Sequence, residues 1–97
     1  MSRYYDRDGN QIDLEEWSRI YTPENQRVAA TNIGESYIST VWLGINHQWE
    51  PTGPPLFFET MIFDGPLDGE CWRYSTLDQA QQGHEAACLK VIETRAV

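Results

Sequence analysis

Apolar spacing along this chain alternates between a strand period and a helix period, with turn residues at each change. Tyr4 and Tyr5 begin a short strand, and Asp8-Gly9-Asn10 is a strong turn signal. Asp13, with Glu16 three residues later, is a capping box for a first helix, and Ile12 stands where it can staple onto Trp17. Glu15 and Glu16 also suit the positive end of the helix dipole. Pro23 stops this helix near Tyr21 or Thr22. It is about two turns long, so packing through Leu14, Trp17 and Ile20 or Tyr21 must hold it.

Four strands follow, over residues 27–33, 37–45, 56–63 and 70–74. The second and third are apolar on both faces (Val41, Trp42 and Leu43 at the centre of the second), which predicts inner strands covered on both sides. Gly34-Glu35 turns the first pair, and residues 64–69 form a Gly- and Pro-rich connection before the fourth strand. Neighbours in sequence are expected to be neighbours in the sheet. A second capping box, Thr76 with Gln79, opens the last helix. At 100° per residue Leu77, Ala80, His84, Ala87, Cys88, Val91 and Ile92 share one stripe, opposite Gln82, Lys90 and Glu93. Ala80, Gly83 and Ala87 are small enough to bring the helix axis close to a sheet filled with aromatic residues. The fold class expected is α+β: an antiparallel meander of four strands plus a short N-terminal strand, with a short N-terminal helix and a longer C-terminal helix packed on the sheet.

Ninety-seven residues, 40% hydrophobic and 12% aromatic, suit one domain over residues 1–97 with a single core. No apolar run reaches the roughly 18 residues of a membrane span, and the first residues carry no signal-peptide pattern. The expectation is a soluble, cytoplasmic protein without membrane association. The net charge of −8 changes the picture through its distribution. No Lys or Arg lies between Arg27 and Arg73, whereas Glu35, Glu50, Glu59, Asp64, Asp68 and Glu70 do. Such a stretch repels phosphate, so direct nucleic-acid binding is not expected, and basic partners or plain solubility are.

Candidate chemistry is sparse. Asp6, Asp8 and Asn10 alternate as in a calcium loop, but the glycine is misplaced and the closing glutamate missing. No nucleophile elbow, P-loop or dinucleotide fingerprint is present, and no cofactor is expected. His84 sits at the centre of the apolar stripe, where a hydrogen-bonded core histidine is the plainest reading. His84, Cys71 and Cys88 are weak metal candidates, since the helix could fold back to bring them together; their spacing matches no zinc pattern, and reduced cysteines are the default. Glu59 interrupts an apolar strand on the face of Phe57, Met61 and Phe63, and Arg73 on the next strand is its natural cross-strand partner. With His47 or His84 the same pair could serve a small enzyme, although convergence in a cleft cannot be read from sequence. The loop 46–55 is long for a hairpin and carries His47, Trp49 and Glu50 among prolines, as an interaction site would. With Asp64, Asp68 and Glu70 these are the candidate partner-binding residues.

The blocks Tyr4-Tyr5-Asp6-Arg7-Asp8-Gly9-Asn10, Leu14-Glu15-Glu16-Trp17, Ser39-Thr40-Val41-Trp42-Leu43-Gly44, Pro54-Pro55-Leu56-Phe57-Phe58-Glu59-Thr60-Met61, Arg73-Tyr74-Ser75-Thr76 and Gly83-His84-Glu85 run in this order. As a set, covering most of the chain, they resemble a family of small uncharacterised proteins encoded by tailed phages, notably those of actinobacteria, and by prophages. Gln11 stands where that family has a proline, a change that should alter little. The resemblance carries over no catalytic residue. It implies a bacterial cytoplasm during infection and a non-structural accessory role. The expectation is therefore a non-enzymatic protein that binds a host or phage protein, for example as an acidic inhibitor of a nucleic-acid-binding host factor. The alternatives are a small enzyme or metal-dependent protein using Glu59, Arg73, His47 or His84, and a self-associating homo-oligomer.

Overall fold

The computed structural model describes residues 3–95. The chain opens with a two-stranded ribbon, β1 (Tyr4–Tyr5) and β2 (Gln11–Ile12). The alternating acids between them serve the turn. Asp6 Oδ1 accepts the N–H groups of Asp8 (2.9 Å) and Asn10 (2.8 Å), and Oδ2 accepts the Asn10 side-chain amide. A short carboxylate bonding to nearby backbone in this way specifies a turn without any ion.

Asp13 caps α1 (Leu14–Ile20), its carboxylate accepting the Glu16 N–H at 2.8 Å. The Glu16 carboxylate turns away to pair with Arg19. Pro23 ends this helix as expected and also starts another: the Thr22 hydroxyl accepts the Asn25 N–H and opens α2 (Pro23–Gln26). Proline at a first helical position lacks only an N–H that had no partner there.

The main sheet has the order β3 (Arg27–Ile33), β4 (Ser36–Trp42), β5 (Phe58–Phe63), β6 (Cys71–Tyr74), antiparallel throughout, with α3 (Leu77–Arg95) packed on it. The meander is as expected, but β4 ends three residues early. The N–H groups of Leu43 and Gly44 both donate to the Phe57 carbonyl, at 2.8 and 3.2 Å. Gly44 has φ +71°, and a Cβ there would stand 2.5 Å from Trp17 Nε1. Only glycine takes this backbone beside that indole without strain. The chain leaves the sheet here, and Ile45 bridges to Tyr4.

Coverage of β4 and β5 on both sides is not what the structure has. α3 covers one face; Ser36, Ile38, Thr40 and Trp42 of β4 and Phe58, Thr60 and Ile62 of β5 are buried there, while the intervening residues are half-buried or, at Phe63, exposed. The apolar content of the second face reflects an uncovered surface, not a second layer. Phe57 also departs from the expected alternation: it precedes the strand and stacks on Tyr5, with centroids 5.0 Å apart.

On the covered face the core is in two parts. Ile38, Ile62, Ala87 and Val91 form one cluster; Trp42, Phe57, Phe58 and Ala80 form the other, closed by Trp17 and Tyr21. Between them lies a polar belt. His84 Nε2 meets Thr31 Oγ1 at 2.8 Å and Nδ1 meets Thr40 Oγ1 at 2.7 Å; Thr40 Oγ1 is 2.5 Å from Thr60 Oγ1. The Tyr74 hydroxyl bonds to Thr60 and extends the belt to β6. Gly83 admits that ring, since a Cβ at this position would collide with the Tyr74 phenol. The small residue on α3 therefore accommodates one particular tyrosine.

Candidate functional site

The open face of the sheet collects most of the remaining polar chemistry. Glu59 and Arg73 are directly opposed across β5 and β6, and Arg73 Nε donates to Glu59 Oε2 at 3.1 Å. Cys71, two residues before Arg73 and so on the same face, also bonds to Glu59. Burial, and then the charge of Glu59, push the Cys71 thiol up. A thiol held protonated is the reverse of an activated nucleophile. His47 stands at the mouth of this face. Burial, followed by the Arg73 charge, lowers its pKa from the usual 6.5, with Glu59 opposing. Among the described residues Glu59 bonds to Arg73 and Cys71 rather than to His47, so no acid–base dyad is assembled.

The loop between β4 and β5 is cross-braced by its own side chains. Asn46 Oδ1 accepts the N–H groups of Gln48 (2.8 Å) and Leu56 (3.0 Å), closing the loop at its neck. Gln48 spans the interior, donating to the Pro54 carbonyl and accepting from the Glu50 N–H, both at 3.0 Å. Arg3 donates to the Asn46 carbonyl and ties the neck to the N-terminal ribbon. From this frame Trp49 projects with 90% of its surface exposed. Arg3, Asn46, His47, Gln48, Trp49 and Arg73 line a cleft of 230 Å³ at its base.

The six candidate partner-binding residues do not form one surface. His47, Trp49 and Glu50 lie at the loop, before β5; Asp64, Asp68 and Glu70 lie beyond its far end, about 20 Å away along a six-residue strand. Two of the distal acids, Asp68 and Glu70, are already engaged. Asp68 accepts the N–H of Asp64, whose φ of 65° forms the turn, and Glu70 pairs with Lys90 at 2.8 Å.

The metal candidates separate as well. Cys71 is exposed on the open face, Cys88 packs half-buried against the Ile38–Ile62 cluster under α3, and both are free thiols. The fold-back of α3 that could have joined them puts them on opposite sides of the sheet. Both nitrogens of His84 are held by threonines, and burial lowers its pKa below 6.5. Among the described residues no three His, Cys, Asp or Glu side chains are placed to hold a metal.

Two parts of this picture were not visible in the sequence. The threonine belt requires the strand register, which sets Thr40 opposite Thr60. Arg3 enters the cleft from a site 44 residues from His47 along the chain, for which no local pattern exists. No helix is long and apolar enough to cross a membrane among the described residues. Neither protein-family models, nor curated proteins, nor solved structures yield a match to the chain.

Proposed function

We propose that this chain is a non-enzymatic accessory protein that docks a protein partner through Trp49 and the loop that carries it. The supporting observation is the combination of a Trp 90% exposed with a loop fixed by four side-chain hydrogen bonds to backbone. An exposed indole gains by burial, and a preformed loop loses little entropy when it binds. In the setting that the sequence resemblance implies, the partner is a host or phage protein in a bacterial cytoplasm. Phosphate mimicry is a weaker account of the contact. Glu59, Asp68 and Glu70 all have internal partners, so three of the six acids in the stretch without Lys or Arg are already engaged. The test is affinity capture from infected cells with the wild-type chain and with Trp49→Ala as baits. A partner retained by the first and lost by the second supports the reading; identical retention contradicts it.

Self-association through the open sheet face is a second reading. Tyr37 and Phe63 pack at a tilt across β4 and β5 with centroids 6.1 Å apart, and Phe63 is 41% exposed. Light scattering across a concentration range tests it. A strictly monomeric mass at high concentration ends this alternative.

A further inference from the structure

Several of the chain's seven Lys and Arg side chains have internal roles. Arg19 and Lys90 pair with Glu16 and Glu70, and Arg7 donates to the carbonyls of Asn25 and Arg27. Arg3 and Arg73 are different, because they share the cleft beneath Trp49. Arg73 touches Glu59 through Nε, and Arg3 gives Nη2 to the Asn46 carbonyl at 3.1 Å. Arg3 has no carboxylate partner among the described residues. A guanidinium carries five N–H donors in a planar fork, so both arginines keep donors for a ligand. Trp49, Asn46 and Gln48 line the same cleft.

We propose that this cleft binds a carboxylate carried by a peptide, with Arg3 and Arg73 holding its oxygens and Trp49 packing on the adjoining residue. The proposal rests on the reading of the loop as a protein contact and sharpens it. An acidic chain here presents a local basic site, so the partner brings an acidic side chain or its own C-terminus. Two guanidinium charges less the Glu59 carboxylate leave about one net positive charge in and beside the cleft. That balance suits a monoanion better than a phosphate carrying about −1.5 to −2. The charged groups facing His47 are Arg73, Arg3 and Glu59. A bound carboxylate adds a negative charge beside the imidazole and raises its pKa above that of the free protein, so binding strengthens as pH falls through the titration of His47.

The test uses the full chain, labelled for NMR, and four probes. These are an acetylated trialanine with a free C-terminal carboxylate, the same peptide amidated, an amidated peptide with a central Asp, and inorganic phosphate. The expected result is a shift of the Trp49 indole and Arg73 Nε signals with at least one carboxylate peptide and none with the neutral control. The responding arm identifies the source as a chain end or an acidic side chain. Arg3→Gln weakens binding about tenfold, while losing its exposed bond to the Asn46 carbonyl lowers the thermal midpoint by no more than a few degrees, and the His47 titration moves upward in the bound state. Arg73→Gln repeats the test where it folds, and Arg3→Gln suffices where it does not. No response to either carboxylate, or tighter binding of phosphate than of both, overturns the proposal. If the probes stay silent while Trp49-dependent capture of a protein persists, the carboxylate site falls and the docking reading stands. If the probes bind but no protein is captured, the docking reading falls and the cleft remains.

Discussion

The two histidines of this chain sit on opposite faces of one sheet, and their surroundings differ in kind. His84, on α3, is 6% exposed, with both ring nitrogens held by threonine hydroxyls. His47 is half-buried in a cleft with two arginines and an exposed tryptophan. On the covered face, polar groups satisfy one another and divide the core into two clusters; among the described residues no buried side-chain polar atom lacks a partner there or elsewhere. On the open face, guanidinium donors remain for a ligand. A buried and fully paired polar network specifies the fold, whereas donors left facing solvent serve recognition. The same residue type is thus part of a closed polar network on one side and lines an open cleft on the other.

The difference should appear first in stability. His84→Ala leaves Thr31 and Thr40 without their shared partner and opens a cavity between the clusters. The cost is about 2–4 kcal/mol, a fall in thermal midpoint on the order of 10–25 °C. Thermal unfolding followed by circular dichroism measures it, and a drop of only a few degrees would mean that the belt does not hold the helix.

Gly83→Ala sets two effects against each other. Alanine improves helix propensity by about 1 kcal/mol. Its methyl group, however, meets the Tyr74 ring, which the Thr60 bond holds in place. Overpacking typically costs about 1–3 kcal/mol, so a net loss of about 1 kcal/mol is expected in denaturant titration. A gain in stability would show that Tyr74 moves freely.

Acid should weaken the covered face next. Burial lowers the His84 pKa from 6.5, so the unfolded chain binds this proton more readily than the native one. The contribution of His84 is therefore complete above about pH 6.5 and declines as pH falls toward the folded value. His47 is shifted in the same direction but is half-buried. Thermal midpoints at pH 7.5 and 5.5 should fall in both the wild type and His47→Gln. Abolition of that fall in His47→Gln would assign it to the open face instead.

Glu59→Gln, on the open face, removes an ion pair in which Arg73 is well exposed. The expected loss is about 0.5–1 kcal/mol, read as a midpoint shift of a few degrees. An unchanged midpoint would remove even this structural role from the pair.

Local chemistry explains what was legible in the sequence. Asp13 and Thr76 mark helix starts because capping acts over three residues, and Gly34-Glu35 and residues 64–69 mark turns for the same reason. The sheet order followed because short connections keep neighbours together. Cross-strand opposition of Glu59 and Arg73 needed only one hairpin register. The Thr22-Pro23 start of α2 was readable too, as a capping residue before proline, but the proline also read as a terminator. What escaped depends on long-range placement. The apolar second face of β4 resembled a buried one because alternation cannot distinguish a covering layer from an uncovered surface. His84 meets Thr31 across 53 residues, and Arg3, His47 and Arg73 meet from three separate parts of the chain.

Trp49 provides the most direct test of the division between the faces. Its exposure means that Trp49→Ala should change stability by less than about 0.5 kcal/mol. The decisive measurement is quantitative capture by wild-type and Trp49→Ala baits, compared protein by protein at equal folded concentration. The account predicts a partner at least tenfold depleted on the variant. Equal recovery of every captured protein would contradict it.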